Sequence, residues 1–96
     1  MTTAAGPVRF TTVGLPEEQR TALWEDHNAD ALIGLRCRTL DEATLEATEI
    51  NLQLPRVHLA RVIGNPHVVE RTSEVIRHTP AEAIACYITL VGEAFF

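Results

Sequence analysis

Ninety-six residues allow one domain and one modest core, too little for a catalytic cleft between two domains. Hydrophobic residues make up 46% of the chain, which argues against disorder, and thirteen acids against eight arginines and no lysine leave a formal charge of −5. The arginines are dispersed (only Arg36 and Arg38 lie close together), so the cation cluster that neutralises phosphates is missing and direct DNA binding by this chain is not expected.

The first nine residues read as a flexible arm, with 10–96 forming the domain. Residues Met1 to Pro7 lack the basic and apolar regions of a secretory signal, and no apolar run approaches the ~18 residues of a membrane helix. A cytoplasmic protein is therefore expected.

Phe10 to Val13 predicts a short strand. Pro16 suits a first helical position, and Glu17 and Glu18 complement the helix dipole. Leu23, Trp24, His27 and Ala31 then form one apolar stripe, predicting a helix over about 16–30. Beyond it the period falls to two: Ile33, Leu35 and Cys37 alternate with Gly34, Arg36 and Arg38, as in a strand with one face buried. Asp41-Glu42 marks a turn.

Leu45 and Ala47 hold one phase and Ile50, Leu52 and Leu54 the other, which predicts a β-bulge near Thr48-Glu49. Pro55 breaks the ladder, Val57 to Ile63 resumes it, and Gly64-Asn65-Pro66 turns the chain into a further strand over 67–72. Thr79-Pro80-Ala81-Glu82 has the form of a capping box, whereas Ile84, Cys86, Ile88 and Leu90 alternate strictly. One helical turn at 80–83 running into a strand at 84–91 reconciles the two. Gly92-Glu93 then suggests a hairpin turn into a strand from Ala94.

Catalytic and metal chemistry find little purchase. The four histidines form no H-x-H or H-x3-H pair, Ser73 is the only serine, and there is no glycine-rich phosphate loop. Cys37 and Cys86 each fall in an apolar run and read as small buried hydrophobes. No catalytic residues, no metal, no cofactor and no enzyme activity are expected, and a small cupin-type enzyme is the weakest alternative.

Three stretches in order, Leu15-Pro16-x3-Arg20-x3-Trp24, Pro66-His67-x-Val69-x-Arg71-Thr72 and Leu90-Val91-Gly92, together resemble the N-terminal effector-binding, cupin-like domain of AraC-type transcription regulators. The resemblance runs from about Thr11 to Phe96. It implies an α+β fold, an N-terminal helix followed by antiparallel strands of a cupin-like β-barrel, that senses a small-molecule effector and dimerises in a bacterial cytoplasm. Such regulators read DNA through two helix-turn-helix motifs. This sequence has no basic recognition helix and stops where relatives would run on through the barrel, so a fragment of a longer regulator is expected. Arg20, Trp24, Arg71 and Gly92 take structural roles in this reading. His58, Arg61 and Tyr87, polar groups within apolar strands, are the candidates for orienting an effector. A stand-alone β-rich interaction module is the alternative, and a homodimer joined through strand edges or the C-terminal hairpin is expected in either case.

Overall fold

The computed structural model describes residues 6–40 and 42–95, and within them the chain is α+β with antiparallel strands throughout. Strand β1 (Val8–Thr11) is followed by a 3-10 turn (Glu17–Gln19), helix α1 (Arg20–Ala31), strands β2 (Arg36–Thr39), β3 (Ala47–Gln53), β4 (His58–Gly64) and β5 (His67–Glu70), and a short helix α2 (Ser73–His78). The strands form two sheets, β1-β3-β4 and β2-β5. Because β1 starts at Val8, the expected arm gives way to sheet two residues early; Asp41 of the expected turn lies outside the described residues.

Proline and the glutamates open a 3-10 turn at Glu17–Gln19, so α1 itself begins at Arg20, four residues after the expected start, and seals the core with its apolar stripe. Trp24, 2% exposed, packs with Cys37, Leu45 and Ala47, and Phe10 and Leu35 lean on that cluster. Arg20 ties the helix start to its surroundings, donating from Nε to the Leu15 carbonyl (2.9 Å) and from Nη1 to the Leu45 carbonyl (3.4 Å). At the other side of the helix, Glu25 accepts the Cys37 backbone N–H at 2.8 Å, which fixes β2 against α1.

Three expectations are overturned. First, β3 has no bulge: its pairing with β4 runs unbroken from Ala47 opposite Gly64 to Gln53 opposite His58. Glu49 and Asn51 share the buried phase with Ala47, while Ile50 is exposed and Leu52 half-buried on the other face. The apolar pattern misled because two polar residues occupy the core face, where the Asn51 amide donates to the Glu49 carboxylate. Second, the helix in the C-terminal third lies at 73–78 and not at 80–83. Its cap is Thr72, whose hydroxyl accepts from the Val75 N–H at 3.2 Å, with Arg77 and His78 complementing the dipole in the last turn. Third, residues 80–95 form no strand, so neither 84–91 nor the hairpin after Gly92-Glu93 is present. Ile84 and Val91 are 95% and 93% exposed, and Cys86 is exposed as well, against its expected burial. An alternating pattern alone does not make a strand, which needs a full ladder with a neighbouring strand.

Candidate functional site

Positions 49, 51 and 53 of β3 point to the α1 side of the sheet and carry Glu, Asn and Gln in succession. On that face Glu49 sits between Phe10 of β1 and Val62 of β4, its pairing neighbours, and is 1% exposed. From α1, the His27 ring stacks on Phe10 (centroids 4.3 Å apart, planes at 9°) and brings Nε2 to 3.4 Å from Glu49 Oε2. Neither His27 Nε2 nor the other carboxylate oxygen, Oε1, has a hydrogen-bond partner among the described residues. A buried acceptor left without a donor costs about 1–3 kcal/mol, so it persists only where the surroundings impose it.

Oε2 receives the Asn51 amide N–H at 2.9 Å. This bond orients the amide, turning Asn51 Oδ1 toward His58 Nε2 at 2.8 Å. On the other side of the ring, His58 Nδ1 lies 2.8 Å from Gln53 Oε1, and Gln53 is itself oriented by donating Nε2 to the Leu54 carbonyl (2.8 Å). Both ring nitrogens of His58 therefore lie against side-chain amide oxygens. The result is one continuous polar chain, Glu49–Asn51–His58–Gln53, running from the core to the end of the β3–β4 hairpin.

At that end lies a cavity of about 230 Å³, whose wall combines Asn51, Gln53 and His58 with Val8, Ala31 and Gly6. Its surface is mostly apolar, with Asn51, Gln53 and His58 supplying a few polar groups, a combination that orients a compact, largely apolar molecule. A larger cleft of about 380 Å³ lies between α1 and α2, where Glu25, Asp26 and Glu74 face Arg36. No group of three or more histidine, cysteine or acidic side chains is arranged to hold a metal among the described residues.

Of the three effector-orienting candidates, only His58 borders the cavity. Arg61 lies on β4 an odd number of residues away, so its side chain leaves the opposite face of the sheet, opposite Ile50. Tyr87 belongs to the extended tail and is exposed. The three do not converge. Asn51, Gln53 and Glu49 were missed; the one signal for them was polar residues at i, i+2 and i+4 in a strand.

Trp24 is the core indole and Arg20 its tether. Arg71 donates through Nη1 to the Gly34 carbonyl and through Nη2 to the Thr79 carbonyl at 2.9 Å, joining the α1–β2 loop to the end of α2. Gly92 adopts a left-handed φ of 83°, open to glycine, but turns no hairpin. Burial pushes the Cys37 thiol up to about 11, and the neighbouring Glu25 carboxylate acts in the same direction. A thiol so disposed is not a nucleophile at neutral pH. No family model, curated protein or solved structure matches the chain.

Proposed function

We propose that this chain is a non-catalytic sensing and dimerising module, the ligand-binding portion of an AraC-type transcription regulator working in the cytoplasm. In that reading DNA is bound by a separate helix-turn-helix domain, and this chain transmits the effector's presence. The observation that carries the sensing role is the continuity of the polar chain: a ligand touching Asn51 or His58 in the 230 Å³ cavity pulls on the amide that holds the buried Glu49 carboxylate beside α1. Ligand contact and core packing are thus coupled through two hydrogen bonds. The cavity size and mostly apolar lining favour a compact, largely apolar molecule carrying one or two polar groups for Asn51 and His58.

The test is thermal unfolding of the purified chain against a panel of small alcohols, amides and short-chain carboxylates at millimolar concentration. A saturable rise in Tm, abolished by Ala31→Leu, which fills the cavity without touching the polar chain, supports the reading. A folded protein whose Tm no compound moves refutes it. A second reading, a stand-alone β-rich interaction module, is favoured by the exposed apolar run 84–91.

A further inference from the structure

The sheet β1-β3-β4 carries α1 on one face and stands open on the other, where Ile50, Leu59 and Ile63 are 37%, 50% and 60% exposed. Residues paired across strands share a face. Pairing therefore sets Arg9, Ile50 and Arg61 in one row across the three strands, with Ile63 on one side of it and Leu52 beside Leu59 on the other. An aliphatic patch thus has an arginine at each end of its middle row.

Arg9 and Arg61 are exposed and stand outside the ion pairs of the described residues, which join His27 to Glu49, Arg36 to Glu25 and Arg38 to Glu70. No acid occupies an outward position of the three strands, and none occurs between Ile50 and Val69. On a chain with a formal charge of −5, this face is locally cationic. Exposed charges act over a Debye length of about 8–10 Å, so a molecule resting here meets the two arginines before the acids of α1 behind the sheet.

Spacing says what shape fits. Neighbouring strands lie about 4.8 Å apart, so Arg9 and Arg61, one strand to either side of β3, are roughly 10 Å apart. That is about the width of an α-helix with its side chains, 10–12 Å. A helix lying along β3 rests its apolar stripe on Ile50 and Leu52, with one flank over β1 and the other over β4. Carboxylates bordering the stripe on both flanks then meet one guanidinium each, the pairing for which arginine is best suited. An extended anionic surface such as a membrane would be repelled by the chain's net negative charge, which a single helix is small enough to escape. We infer that the outer face of β1-β3-β4 docks an amphipathic helix of a partner protein, one whose apolar stripe is bordered by carboxylates on both sides. The inference goes beyond the sensing reading and does not rest on it, since the cavity opens on the other face of the sheet.

Fluorescence anisotropy of labelled helical probes titrated with the full chain tests it. The first probe is a hydrocarbon-stapled helix of about 14 residues, roughly 21 Å long, with a leucine stripe bordered by glutamates; the second carries lysines in their place. Saturable binding of the glutamate probe is expected, at least tenfold tighter than that of the lysine probe. Arg9→Glu together with Arg61→Glu should reverse this preference with unchanged circular dichroism, because both side chains are exposed. Leu59→Asn, which breaks the aliphatic patch, should weaken the glutamate probe as well. Four results overturn the inference: a folded chain that binds neither probe at millimolar concentration; equal binding of both; a preference that the double reversal leaves in place; or binding to phosphatidylserine vesicles, lost on the double reversal, in place of the probe, which would make the face a membrane contact.

Discussion

Asn51 and Glu49, two residues apart on β3, face the same way in the core, and the amide of one is the hydrogen-bond donor that the carboxylate of the other receives, at 2.9 Å. Removing that donor leaves a buried carboxylate whose second oxygen already has no partner among the described residues. Asn51→Ala is therefore expected to destabilise the fold by about 2–3 kcal/mol. In a Glu49→Gln background, where no charge is buried, the same change should cost roughly half as much. Denaturant unfolding of the four proteins measures this coupling, and equal costs in both backgrounds would show that the Asn51–Glu49 bond does not carry it.

Gly34 and Thr79 meet because Arg71 binds both of their carbonyls. A Cβ on Gly34 would lie 2.8 Å from Thr79 Cβ, and Thr79 cannot swing aside while its hydroxyl donates to the Val75 carbonyl at 2.8 Å. Gly34→Ala should therefore cost about 1–3 kcal/mol, an overpacking penalty, although alanine is ordinarily harmless in a loop. Arg71→Lys should cost about 1–2 kcal/mol, since an ammonium cannot reproduce the forked donation. Thermal melts of both variants check the pair; a neutral Gly34→Ala would mean that the α2 end shifts freely.

Periodicity reached the elements whose inward face is apolar. Trp24 and His27 announced α1, and Leu35 and Cys37 announced the buried phase of β2. It failed on β3, where Glu49 and Asn51 occupy the core phase and Ile50 the outer one: a one-residue choice of phase inverts the whole strand, and hydropathy alone chose the wrong face. The tail failed for the opposite reason. Residues 84–91 carry a strand pattern, but pattern encodes the demand for a partner and not the partner's place, and they are not strand among the described residues. Within the site, His58 was legible as a polar group in an apolar strand, but so was Arg61, which leaves the opposite face. The connection of His58 to Glu49 was not, because it passes through a pairing of β3 with β4 that spacing does not reveal.

Trp24 joins Cys37, Leu45 and Ala47, with the Phe10 ring tilted against it at 6.1 Å. With one small cluster holding the helix to both sheets, Trp24→Ala should cost about 3–5 kcal/mol, enough to unfold a domain of this size. Trp24→Phe, which keeps most of the volume, should leave a folded chain with a lowered Tm. Circular dichroism melts distinguish the two, and a cooperative, near-native melt for Trp24→Ala would locate the core elsewhere.

Cys37 links the core to alkaline pH. Its thiol ionises near 11 in the folded chain against about 9 when exposed, because burial and then Glu25 disfavour the thiolate. Between those values the unfolded chain has lost the proton that the folded chain keeps, so the folded state binds more protons and stability falls as pH rises. The contribution is intact below pH 9, declines by about 1.4 kcal/mol per pH unit above it, and levels off past pH 11. Replacing Cys37 by serine or alanine should flatten this slope while lowering stability at neutral pH through lost packing. Measured in a Cys86→Ser background, where Cys37 is the only thiol, alkylation at pH 8 should be at least tenfold slower for the folded chain than for the same chain in denaturant. An equally fast reaction in both states would mean that the helix and β2 open readily, and that the Glu25 contact to the Cys37 backbone does not hold them together.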